Sequence, residues 1–151
     1  MRQGFRPADL GDFGLRHEVN VFVFRQGRRG VEYLLLQSGP AFDSLWRPVV
    51  RAVDLDEDLR RAAVRGVQSQ TGLDQAFHLI TPETAIVQTI GDLQLVGWPF
   101  GFMLRQPWSR ALRKRGSKGL QWLDFQKALL HLSASGHRQN LLQVHWKVRA
   151  A

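Results

Sequence analysis

Between Arg105 and Gly119 the chain gathers Arg105, Arg110, Arg113, Lys114, Arg115 and Lys118 around Trp108, with no acid among them. Cationic side chains at that density could clamp phosphate oxygens while the indole stacks on a base. The competing reading is a solvated loop without a ligand. No carboxylate occurs from residue 93 to 123, so this stretch can supply neither a hard metal ligand nor a carboxylate base. The acids that could serve are Glu18, Glu32, Asp54, Asp56, Asp58 and Glu83. Strand polarity, helix capping and loop solubility account for each of them individually. His131, His137 and His145 lack companion acids at ligand spacing, which favours surface or packing roles over a metal. Trp98, Phe100 and Phe102 could line a base pocket, but aromatics on an apolar strand read first as core. Without a cysteine there is no disulfide, thiolate nucleophile or cysteine zinc site. No Ser-His-Asp constellation can be assembled either.

The elements that must position these groups follow from periodicity. Glu18 to Arg25 and Val31 to Gln37 are apolar, β-branched runs around Gln26-Gly27-Arg28-Arg29-Gly30, which predicts a hairpin. Trp46 to Val53 reads as extended, with Pro48 arguing against a central strand there. Asp54 with Glu57 three residues later forms a capping-box pattern. Leu59, Ala62, Ala63 and Val67 then recur at helical spacing up to Thr71-Gly72, so the expected helix spans about 55–71. Phe77 to Ile80, Ala85 to Ile90 and Leu93 to Leu104 read as strands, the last two joined through Gly91-Asp92. Leu123 to Leu132 and Gln139 to Val148 read as two helices around a Ser-Ala-Ser-Gly break. Strands, helix, strands, helices in that order favour a mixed sheet flanked by helices.

Residues 1 to 16, rich in Gly, Asp and Arg, are expected to be a leader, and residues 17 to 151 a single domain. The apolar runs are far shorter than a membrane span requires, no secretory pattern opens the chain, and a cytoplasmic address is the default expectation. Monomer and homodimer both stay open. The net charge of +8 is uneven: residues 1–92 hold 11 Lys/Arg against 12 Asp/Glu, whereas residues 93–151 hold 10 Lys/Arg and only Asp124. That field could attract a nucleotide, another phosphorylated small molecule, or RNA.

From Arg51 through Glu57, Arg65 and Val67 to Gly72-Leu73 the spacing resembles the box of the Nudix (MutT-like) superfamily, G-x5-E-x7-R-E-U-x-E-E-x-G-U. Glu57, Arg65, Val67, Gly72 and Leu73 match. Arg51 stands where the first glycine belongs, and Gly66, Ser69 and Gln70 replace three glutamates. Trp46-Arg-Pro48-Val-Val is similar to the W-x-P-G-G approach to that box. Residues 121–130 and 138–145 resemble the C-terminal helices of dinucleoside tetraphosphate hydrolases and dihydroneopterin triphosphate pyrophosphatases. The resemblance covers about residues 17–148 and implies an α+β fold, a mixed sheet sandwiched between helices. In that family the face carrying positions 66, 69 and 70 grips magnesium, which prefers charged oxygen ligands. The replacements imply a degenerate box with no metal cofactor, Glu57 and Arg65 bracing helix and loop, and a binding rather than a hydrolytic role. Two alternatives stand beside it. One is a divergent magnesium-dependent hydrolase of a nucleoside diphosphate-linked compound, its metal site rearranged; the other is a protein- or RNA-interaction module.

Overall fold

The computed structural model describes residues 14–38, 45–105 and 119–150. Strand β1 (Leu15–Gly27) is its axis. β2 (Gly30–Ser38) returns antiparallel to it through a turn tighter than the five-residue loop expected, since Gly27 already pairs with Gly30. Gly30, at φ +123°, provides the backbone geometry that a side chain would resist. Pro48 breaks the next extended run in two: β3 (Leu45–Arg47) pairs with β2, and β4 (Val49–Ala52) pairs with the first half of β1. Helix α1 (Leu59–Thr71) follows. Then come β5 (His78–Ile80), β6 (Ile86–Ile90) and β7 (Leu93–Met103). β7 lies parallel to β1 over ten residue pairs, from Leu15–Gln94 to Phe24–Met103. β8 (Leu120–Asp124) pairs with β2, helix α2 (Phe125–His131) leaves it directly, and α3 (Ser135–Ala150) closes the described chain.

Alternation along the strands sorts the core into two layers. Val19, Val21 and Val23 with Leu34, Leu36, Phe100 and Phe102 face α1. Phe22, Phe24, Tyr33 and Leu35 face the other way, onto Ala128 and Leu132 of the α2 region and Leu141 and Val144 of α3. The result is the expected α+β arrangement, a mixed sheet between helical layers. Phe100 and Phe102 are fully buried, as the core reading required, while Trp98 is partly buried at the edge of the α1 layer. No helix among the described residues is long and apolar enough to cross a membrane.

Three boundaries differ from expectation. Asp54 and Glu57 do not cap the helix; they close a turn of their own, with the Glu57 N–H donating to the Asp54 carbonyl (3.0 Å) and the Asp54 N–H to Glu57 Oε1 (2.9 Å). Asp56 occupies the left-handed region at φ +61°, so the helix starts only at Leu59 and its cap passes to Asp58, whose carboxylate accepts from the Arg60 N–H at 3.0 Å. The expected helix from Leu123 is preceded by β8, and Asp124 ends that strand while capping α2 through the Lys127 N–H (2.8 Å). The last helix begins four residues early, at Ser135.

Candidate functional site

The turn before α1 holds a carboxylate where few others are buried: Glu57 is 7% exposed. Arg51, on β4 opposite Val19, reaches it with one guanidinium nitrogen 2.8 and 2.9 Å from the two carboxylate oxygens. The other terminal nitrogen of Arg51 lies 3.2 Å from Asp54 Oδ2. Arg65, one helical face along, is more than half exposed and only 3.7 Å from Glu57 at its nearest. Arg51 therefore supplies the close countercharge, and Arg65 presents most of its head to solvent.

Gly66 explains how so large a side chain fits. A Cβ built there would lie 3.1 Å from Arg51 Cβ, 3.2 Å from Val49 Cγ1 and 3.4 Å from Arg51 Cδ. The stem of Arg51 thus occupies the space that any side chain at position 66 would enter. The remaining two box positions are engaged locally. Ser69 Oγ donates to the Gly66 carbonyl at 3.2 Å, within its own helix. The Gln70 amide bridges two strands, donating to the Val50 carbonyl (2.8 Å) and accepting from Arg47 (2.9 Å). Arg47 also donates to the Pro48 carbonyl, and burial lowers its pKa from the ordinary arginine value. Thr71 and Gly72 finish the helix: Gly72 takes φ +84° and its N–H bonds the Gln68 carbonyl at 2.9 Å.

The acids singled out by sequence are dispersed. Glu32 pairs with Arg25 at 2.7 Å, Asp54 with Arg51, Glu83 with Lys147 at 3.6 Å, and Asp58 caps α1. Glu18 faces the α3 layer, where Asn20 donates to it at 2.8 Å and burial raises its pKa. Among the described residues no group of three or more His, Asp or Glu side chains could hold a metal ion. His131 Nδ1 is 2.9 Å from the Lys127 carbonyl, and His145 stacks on Phe125 at 3.8 Å while bonding the Tyr33 hydroxyl at 2.7 Å.

Arg105 stacks its guanidinium 4.6 Å over the Phe77 ring beside β5. Trp108, Arg110, Arg113, Lys114, Arg115 and Lys118 lie outside the described residues.

His137 is the group that sequence reasoning passed over as packing and that the structure makes electrostatically notable. Its ring sits in the α3 layer, 4.0 Å from Glu18, with Nδ1 buried and lacking a partner. Burial, and secondarily the charge of Arg47, push its pKa down to about 4. A base with a folded pKa below its unfolded value contributes stability that is present above about pH 6.5 and is lost as the pH falls toward 4. The raised pKa of Glu18 works in the opposite sense, its contribution being lost as pH rises, which trims the net effect. A H137Q variant is accordingly expected to lose about 1–3 kcal/mol less stability than the parent between pH 7 and pH 4. Urea titrations at the two pH values measure this, and parallel losses in both proteins would refute it.

No protein-family model matches the chain, and no curated protein matches it. Solved structures do. A candidate NUDIX hydrolase of Listeria monocytogenes superposes with a TM-score of 0.70 at 14% identity, over 89% of this chain and 94% of the other. The Ap4A hydrolase of C. elegans gives 0.65 at 17% identity, over 91% and 99%. The dihydroneopterin triphosphate pyrophosphohydrolase of E. coli gives 0.66 at 22% identity, over 84% and 92%. At these identities the likeness establishes the Nudix fold.

Proposed function

We propose that this Nudix-fold chain binds a nucleotide or another phosphorylated small molecule without carrying out magnesium-dependent pyrophosphohydrolysis. The observation that carries the reading is the Arg51 guanidinium seated on Glu57. Magnesium requires hard, preferably charged oxygens at near-octahedral positions. The donors at positions 66, 69 and 70 do not meet that demand: Gly66 has no side chain, the Ser69 hydroxyl bonds its own helix, and the Gln70 oxygen accepts from Arg47. The one buried carboxylate of the box, Glu57, already has a cation against both oxygens. A second cation beside it would be repelled by the first. Phosphate attraction is assigned instead to the exposed head of Arg65 and to the basic segment from Arg105 through Lys118.

The test pairs turnover with ligand linkage. With magnesium or manganese, a panel of nucleoside di- and triphosphates and dinucleoside polyphosphates is expected to release no phosphate above the uncatalysed rate. In chelator, a bound nucleotide at 100 times its Kd is expected to stabilise the protein by about 2.7 kcal/mol, or roughly 5–10 °C in Tm. Metal-dependent release would establish the divergent-hydrolase alternative in its place. Absence of any nucleotide-induced shift would remove the binding role.

A further inference from the structure

The hairpin end of the sheet carries a second cationic surface. β4 and Arg51 pair with β1 at Val19, whereas Arg25 lies six residues further along the same strand; at ~3.3 Å per residue that is roughly 20 Å from the box. There Arg25 stacks 4.1 Å over the Trp122 ring while paired with Glu32. This stack borders a groove of about 840 Å³ that also takes in Arg28 and Arg29 at the hairpin tip and Lys127 of α2. On the neighbouring strand the Leu104 N–H bonds the Phe24 carbonyl at 2.9 Å, so Arg105 emerges from the sheet beside Arg25. Arg105 stacks over Phe77, itself 55% exposed. A second groove of about 660 Å³ runs past Phe77 and Arg60 along β5, with no carboxylate among the described residues that line it. Among the described residues Arg28, Arg29, Arg60 and Lys127 are exposed and enter no ion pair.

We infer that this end of the sheet binds single-stranded nucleic acid. In the order β8-β2-β1-β7-β5 the two arginines come from β1 and from just past the end of the neighbouring β7, and their aromatic partners from the outer strand β8 and the residue before β5; the five strands together span roughly 20 Å at ~4.8 Å per strand. Fixed cations along such a line neutralise successive phosphates, and exposed aromatic faces accept unpaired bases whatever their sequence. A duplex keeps its bases stacked on one another and cannot use Phe77. Among the described residues that line the hairpin groove the acids are Glu32 and Asp124, which are engaged with Arg25 and with the α2 cap.

Fluorescence anisotropy with labelled U12 and T12 strands, using the full chain, tests this directly. Both strands are expected to bind at low salt, the tighter one identifying the strand as RNA or DNA. R28E/R29E should raise Kd at least tenfold and flatten the log Kd against log salt slope by at least about 1.4, two phosphate contacts being lost. F77A, an exposed-site change checked by thermal melting, should weaken the strands about tenfold yet leave inorganic polyphosphate within twofold. The inference is overturned if neither variant moves Kd more than twofold, if F77A weakens polyphosphate equally, or if a 12-base-pair duplex or polyglutamate binds as tightly as the single strands.

Discussion

Replacing Arg51 with alanine is expected to cost about 2–4 kcal/mol of folding stability, the range for a largely buried carboxylate stripped of its ion-pair partner. Glu57 is 5% exposed at the side chain and Arg51 21%; the partial exposure of the arginine holds the figure below that for a fully buried pair. At this chain length the loss corresponds to roughly 5–12 °C in Tm. Arg65, 3.7 Å away and largely solvated, cannot take over the bidentate contact. R51K keeps a charge but lacks the second nitrogen that lets Arg51 hold Glu57 and Asp54 together, and its loss should fall between parent and R51A. In the R51A/E57Q double variant the penalty should shrink, because a neutral amide leaves no uncompensated charge. Urea titrations of the parent, R51A, E57Q and R51A/E57Q give the coupling directly, and single-variant costs that add within about 0.5 kcal/mol would mean that the pair does not hold the turn.

This ion pair marks where sequence legibility stops. The first hairpin could be read because period-2 runs and two glycines are local signals, and α1 because its apolar positions recur at 3.6 and Gly72 ends it. β8 could not. Leu120–Asp124 is five residues long, runs directly into α2, and owes its extended form to pairing with Leu36 through Glu32, more than eighty residues upstream. The capping-box spacing at Asp54 and Glu57 was real but closed a turn instead, because Glu57 faces Arg51 across β4. In the same way the sequence displayed the changed box positions one by one. It did not reveal that two of them touch. Arg51 and Gly66 lie fifteen residues apart on a strand and a helix, and only their packing across the sheet makes the arginine stem and the absent side chain one arrangement. The partnerships of Gln70 with Arg47 and of Arg105 with Phe77 are likewise tertiary, with no local pattern to announce them.

Because the two positions touch, they should revert only together. In the middle of a helix, glycine to alanine ordinarily gains about 1 kcal/mol from propensity. At position 66 that gain should be absent, since the new Cβ meets Arg51 Cβ at 3.1 Å and the fully buried Val49 at 3.2 Å. G66E, longer and overpacked, should cost about 1–3 kcal/mol in the Arg51 background and far less with R51G, which removes both the stem and the competing cation. Adding S69E and Q70E then places three carboxylates on one helix face at i, i+3 and i+4, beside a Glu57 freed of its guanidinium. The quadruple variant is expected to bind manganese on the order of 100-fold more tightly than the parent, read by the loss of the free-ion signal in electron paramagnetic resonance. If instead G66E were tolerated equally in the parent and in the R51G background, the contact between the two positions would carry no energy, and the changes at 51 and 66 would be independent losses. A coupled result would mean that the guanidinium fills, in charge and in volume, the place that a metal and its glutamate hold in the family this box resembles.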